Sequence, residues 1–236
     1  MGPILRGVML TVGSLFSGIG GFDLGLERAG MSVKWQCEID PYCRQVLTKH
    51  WLHVNRYGDI KAINWATVEP VDLICGGFPC QPFSCAGKRR GQDDDRYLWP
   101  EVVRCLDALR PTWFFGENVP GIINLALDQV CADLENLGYT VQAFVIPACA
   151  VDAPHYRNRV WLVAHTDRTG LERVHNKKNG KRLQLPESLR EEWEAEPRLD
   201  RVALGVPHRV DRLRALGNAI VPQIAEAIGR MILAVA

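Results

Sequence analysis

Residues 12–29 read VGSLFSGIGGFDLGLERA. A β-rich apolar run over 12–16 passes into the glycine-rich turn Ser17-Gly18-Ile19-Gly20-Gly21, and 22–29 then carries a helical pattern that stops at Gly30. A strand delivered into a helix through such a turn is the entry unit of a doubly wound α/β fold, which binds nucleotides at the carboxyl end of its strands.

Downstream residues repeat the alternation. A second strand is predicted over 32–37, and Asp40-Pro41, an N-cap followed by proline in the first turn, opens a helix to about Lys49. Strands follow over 71–75 and 112–115, separated by a helix over 98–109 that ends before Pro111. A helix over 126–137 stops at Gly138, and strands are expected over 141–146 and 160–164. This order predicts a parallel, doubly wound sheet covered on both faces, occupying 10–165. Residues 166–207 lose the periodicity: a basic stretch from Arg168 to Arg182 precedes an acidic run from Glu187 to Glu196, readable as a solvated loop or as an insert that touches a polyanion. Order returns in 208–236, where 222–235 has the apolar spacing of a closing helix.

The 236 residues, 47% of them hydrophobic, suffice for a sizeable core. A net charge of +1 leaves any nucleic-acid contact to local basic clusters. The eight cysteines form no C-x-x-C pair, and His50-x-x-His53 reads as surface histidines, so no metal is expected. No signal-peptide pattern and no apolar run long enough to cross a membrane is present, which predicts a soluble cytoplasmic protein with reduced cysteines.

The glycine turn departs from a dinucleotide fingerprint, which would need glycine where Asp23 stands, and no G-K-[ST] cradles phosphate. Glu38, at the end of the second strand, is placed to grip ribose hydroxyls. An adenosine-type ligand fits both features; a tight turn beside an incidental acid also would.

Residues 76–87, GGFPCQPFSCAG, place Cys80 in a glycine-bounded loop beyond a strand, whereas Cys75 sits inside the strand as a small hydrophobe. Pro79 and Pro82 restrict the backbone around Cys80, and Lys88, Arg89 and Arg90 follow in the same polar segment. An incidental loop thiol and a nucleophile both remain open on these residues. Glu117-Asn118-Val119 leaves the aromatic strand Trp113-Phe114-Phe115, so desolvation can raise the affinity of Glu117 for a proton, as a general acid requires; an ordinary salt bridge is the plainer reading. Of the two arginines in His155-Tyr156-Arg157-Asn158-Arg159, one can serve the structure and the other a ligand.

In this order the segments resemble the DNA cytosine-5 methyltransferases. Phe16, Ser17, Gly18, Ile19, Gly20 and Gly21 look like the family's S-adenosylmethionine loop, with Glu38 as its ribose acid, Ile39 beside it, and Asp59 and Ile60 on the adenine side. The resemblance extends the cofactor site to Gly77, Pro79, Leu98, Asn218, Ala219 and Ile220. It implies a fold of the Rossmann-like S-adenosylmethionine-dependent methyltransferase type with a small recognition insert. Cys80 would add to carbon 6 of a flipped-out cytosine, Glu117 would hold or protonate ring nitrogen 3, Arg159 would bind the carbonyl oxygen, and Arg157 would support Glu117 or a phosphate. Gln81, Ser84, Lys88, Arg89 and Arg90 would meet DNA. S-adenosylmethionine would leave as S-adenosylhomocysteine; the implied partner of this monomer is double-stranded DNA, with a cognate restriction endonuclease as a further one to seek.

Three positions depart from the family pattern. His155 stands where glutamine is usual, Ile39 where a larger side chain often packs on adenine, and the interval 166–207 is short for a target-recognition domain. A tRNA cytosine-5 methyltransferase and a catalytically silent DNA-binding relative are the alternatives. A nicotinamide oxidoreductase fails at Asp23 and gives the loop thiol no role.

Overall fold

The structure is a computed structural model that describes residues 9–79, 97–166 and 209–236. Among the described residues, seven strands form one sheet in the order β3-β2-β1-β4-β5-β7-β6. The chain runs through β1 (Thr11–Leu15), α1 (Gly21–Ala29), β2 (Ser32–Cys37), α2 (Pro41–His50), β3 (Asn55–Tyr57) and β4 (Leu73–Gly76). It continues through α3 (Trp99–Leu109), β5 (Trp113–Asn118), α4 (Ile122–Leu125), α5 (Leu127–Asn136), β6 (Thr140–Ile146) and β7 (Arg159–His165), and closes with α6 (Arg209–Asn218) and α7 (Pro222–Leu233). The strand order reverses between β2-β1 and β4-β5, which opens a crevice at the carboxyl ends of β1 and β4.

Elements opened or closed by a backbone-specific residue lie close to their predicted bounds. Asp40 caps α2 by accepting from the amides of Tyr42 (2.9 Å) and Cys43 (3.0 Å), and Gly30 ends α1 at φ 105°. Two features differ from expectation. The sheet is mixed: β7 runs antiparallel to both β5 and β6. A parallel return needs a crossover, commonly a helix, and the described link over 147–158 holds only a 3-10 turn at Ala148–Val151. The short edge strand β3 was not predicted, since three residues are too few to show an alternation.

Hydrophobic clusters cover both faces of the sheet. Adjacent residues of β5 serve opposite ones: Phe114 joins Trp35, Trp65, Phe78 and Trp99, whereas Phe115 joins Phe22, Trp161 and Ile228. Helix α7 lies against α1 so closely that a Cβ at Gly25 would stand 2.4 Å from the Pro222 carbonyl oxygen. This contact brings the link between α6 and α7 to the crevice.

Candidate active site

At the ends of β1 and β2 the glycine turn is shaped by main-chain bonds. Phe16 (φ 51°) leaves the strand in the left-handed region, followed by Gly18 (φ 55°) and Gly20 (φ 89°). The amide of Ser17 donates to the Cys37 carbonyl (3.1 Å) and that of Gly20 to the Ser17 carbonyl (2.8 Å). Glu38 completes the turn: Oε2 accepts from the Gly18 amide at 2.7 Å and Oε1 from the Asp40 amide at 2.8 Å. Each carboxylate oxygen keeps a further lone pair for an outside donor. The space above Gly18 is open, with no atom of the described residues beyond its chain neighbours within 4 Å of where a Cβ would lie, while Gly20 has the Trp51 indole 2.4 Å from that position. Trp51 in turn donates from Nε1 to Glu27 at 2.9 Å.

The other predicted cofactor positions divide by burial. Ile39 is 67% exposed beside Glu38, and Asp59 is exposed, its carboxylate accepting from the Lys61 amide (2.9 Å). Ile60 and Ser17 turn inward: Ile60 joins the core, and the Ser17 hydroxyl donates to the Ser14 carbonyl (3.0 Å). Their side chains therefore shape the floor of the turn rather than its open face. Leu98 is half-buried at the start of α3. Asn218 is exposed, and Ile220 crosses the turn with its carbonyl oxygen 2.7 Å from the Cβ position of Gly21.

The second half of the site lies beyond β4 and β5. Phe78 packs against Trp99 with ring centroids 4.7 Å apart, and its carbonyl accepts from Asn118 Nδ2 at 2.9 Å. Asn118 thus ties the loop that leads to Cys80 to the end of β5. A Cβ on Gly77 would meet Glu117 Oε2 at 3.2 Å and Ile220 Cδ1 at 3.4 Å, so loop, acid and C-terminal link converge on this glycine. Cys80, Gln81, Ser84, Lys88, Arg89 and Arg90 lie outside the described residues, as does nearly all of the 166–207 interval.

Glu117 forms an ion pair with Arg159, Nε to Oε1, at 2.9 Å. Register explains the contact: Glu117 lies opposite Trp161 in the antiparallel ladder, which makes Arg159 its diagonal neighbour on the same face. Burial nevertheless outweighs the cations. It pushes the Glu117 pKa up to about 7, against the charges of Arg159 and Arg157 and the hydrogen bond from Arg159. The structure gives the two arginines different partners. Arg159, expected on the substrate carbonyl, directly supports Glu117. Arg157 turns off the strand at φ 35° and donates to the carbonyls of Gly217 (2.7 Å) and Ala219 (2.9 Å), bracing the α6–α7 link.

Cys75 is fully buried, and burial holds its thiol well above the usual range; Cys37 and Cys43 are pushed up to about 12 for the same leading reason. These three are packing residues. Asn118, Trp51 and Asp23 were not singled out as site residues in the sequence. Asn118 had a signal, an amide directly after a strand-end acid, but its contact with the Phe78 carbonyl depends on β4 and β5 being neighbours.

A seven-stranded sheet with one antiparallel strand, carrying a glycine turn bonded to Glu38 and the half-buried Glu117 at its carboxyl ends, defines a Rossmann-like fold of the S-adenosylmethionine-dependent methyltransferase type. The family model of the C-5 cytosine-specific DNA methylases matches residues 10–200, and the chain belongs to that family. It is 37% identical over 169 residues to the Type II methyltransferase M.NgoFVII of Neisseria gonorrhoeae, covering 69% of this chain and 45% of that one. It is 36% identical over 156 residues to M.MspI of Moraxella sp, covering 64% and 37%. The chain thus spans less than half the length of these relatives. Among solved structures, the S. pombe Dnmt2 methyltransferase superposes with a TM-score of 0.60 at 21% identity, covering 74% of this chain and 57% of that one, a likeness of fold.

Proposed function

We propose that the chain methylates carbon 5 of cytosine in double-stranded DNA, with S-adenosylmethionine as methyl donor and Cys80 as the covalent nucleophile. The observation that carries the reading is the half-buried Glu117, paired with Arg159 and packed on Gly77, at the root of the loop that leads to Cys80.

The donor set of the glycine turn fits an adenosine ligand. Glu38 offers acceptor capacity toward ribose hydroxyls, Gly18 leaves open space, and Asp59 and Ile39 are exposed beside them. When bound there, S-adenosylmethionine supplies an electrophilic methyl group. The chain supplies the rest. Addition of the Cys80 thiolate to carbon 6 of the cytosine ring makes carbon 5 nucleophilic, and negative charge accumulates at the ring nitrogen 3 side. Glu117, with a pKa near neutrality, meets that charge with a proton or a short hydrogen bond. After methylation, loss of the carbon 5 proton to a base restores the double bond between carbons 5 and 6 and expels the Cys80 thiolate. Extrusion of the base from the duplex costs a few kcal/mol, which the basic residues 88–90 and the stretch 168–182 would offset through phosphate contacts. The short 166–207 interval would act as a reduced recognition insert, and 208–236 would return to the catalytic domain formed by 10–165.

Incubation with labelled S-adenosylmethionine and unmethylated duplex, followed by base-resolution mapping, is expected to yield 5-methylcytosine at defined positions. Cys80→Ala is expected to abolish transfer while cofactor affinity stays within about twofold, since the thiol acts only on the base. Full turnover in that variant would remove the proposed nucleophile, and methylation of tRNA but not DNA would redirect the substrate assignment.

A further inference from the structure

Asp23 has no part in the chemistry above, yet it is completely buried beneath the glycine turn. From the first turn of α1, its Oδ2 accepts from Ser14 Oγ at 3.0 Å and its Oδ1 from Gln36 Nε2 at 2.8 Å. Ser14 and Gln36 are register partners on β1 and β2, one residue short of the ends that carry the turn. A single carboxylate therefore clamps helix and both strands at that level. From the clamp the bonds continue upward, because Ser17 donates to the Ser14 carbonyl through Oγ and to the Cys37 carbonyl through its amide, and accepts from Gly20.

Among the described residues no cation balances the carboxylate directly. The groups that act on it are Ser14 from β1, Gln36 from β2 and Glu27 from its own helix; it also acts on the Cys75 thiol of β4. On α7 the buried Glu226 pairs with Arg230 at 2.8 Å. A buried acid held this way lowers global stability, and burial pushes its pKa up to about 6 despite the bonds from Gln36 and Ser14.

We propose that Asp23 is a positioning residue for the cofactor turn: its carboxylate fixes Ser14 and Gln36 as donors and so holds the turn in its binding shape, while lowering the stability of the whole fold. The inference rests on the cofactor reading of that turn. A carboxylate can only accept, so both partners must donate, and charge-assisted bonds are stronger than neutral ones. An amide at this position must reverse or weaken one of the two bonds, yet it carries no buried charge.

Asp23→Asn should therefore move local order and global stability in opposite directions, which a purely structural residue would not do. The full chain is tested by thermal unfolding, by hydrogen exchange of peptides spanning 15–22 without cofactor, and by calorimetric titration with S-adenosylmethionine. At about pH 7.5, Asp23→Asn is expected to melt higher than the wild type, to exchange its turn amides about fivefold faster and to bind S-adenosylmethionine about fivefold more weakly, the scale of one net hydrogen bond. Ser14→Ala removes one bond but keeps the charge, so it should speed exchange and lower the melting temperature together. A higher melting temperature with unchanged exchange and affinity would overturn the proposal, as would a joint fall of stability and affinity in Asp23→Asn. If the wild-type chain binds no S-adenosylmethionine, the cofactor reading fails, and hydrogen exchange still decides the role of Asp23.

Discussion

At the ends of β1 and β2 the turn is held by groups drawn from a short span, Ser14 to Asp40, most of them backbone amides and carbonyls. At the ends of β4 and β5 the converging groups are Gly77, Glu117, Arg159 and Ile220, which are distant in sequence and meet only through the sheet and the α1–α7 contact. The hydrogen bonds of the first region close within β1, α1 and the end of β2, although Trp51 and Ile220 also pack on its glycines. The second depends on register, so a small shift in β7 or in the C-terminal link would dismantle it. Their acids differ accordingly: the fully buried Asp23 accepts from neutral donors, and the half-buried Glu117 faces two arginines.

The contrast can be broken most directly at Glu117. Glu117→Gln keeps the shape but cannot supply a titrating proton, and is expected to lower the rate of methyl transfer by roughly 10²–10⁴-fold with little change in cofactor affinity, as single-turnover kinetics and calorimetry would report. A comparable loss of cofactor affinity would mean that the two regions are not separable.

The next effect is on stability. Both acids have folded-state pKa values above their ordinary ones, Asp23 rising from 3.8 to about 6 and Glu117 from 4.5 to about 7. Each favours the protonated folded chain, so its contribution is fully present below the ordinary pKa and is lost as pH rises through the folded value. Denaturant unfolding of the cofactor-free chain should therefore show stability falling between about pH 4 and pH 7, by roughly 1.4 kcal/mol for each tenfold gain in proton affinity on folding. Asp23→Asn should flatten the lower part of that slope and Glu117→Gln the upper part. A profile unchanged in both variants would contradict the assignment.

Gly77→Ala sharpens the same comparison. Its methyl group would press on Glu117 and Ile220 at 3.2 and 3.4 Å, within tolerance for folding but enough to displace the acid. A loss of about tenfold in transfer rate is expected, with an unchanged unfolding midpoint. The smallest effect belongs to the glycine-turn region: Asp40→Ala removes the cap of α2 and should cost about 1 kcal/mol in unfolding experiments while leaving the chemical step intact.

The sequence made most of the architecture legible because its elements are bounded by residues with strong backbone preferences. Gly30 occupies φ 105°, Asp40 caps with Pro41 behind it, and Gly138 sits at φ 89° after α5. The glycine turn was legible for the same reason, since its conformation follows from Gly18, Gly20 and a carboxylate at the end of the next strand. The direction of β7 was not, because a strand's residue pattern is the same whichever way it runs.

Sequence by itself therefore determined the element order, the glycine turn and the identity of the candidate acid and arginines, all of which rest on local stereochemistry or on residue chemistry. Only the tertiary structure decided which arginine reaches Glu117, that Asn118 holds the Phe78 carbonyl, and that Asp23 bridges two strands. Those contacts depend on register and strand order, which are set by burial across the entire sheet rather than by any short stretch of chain.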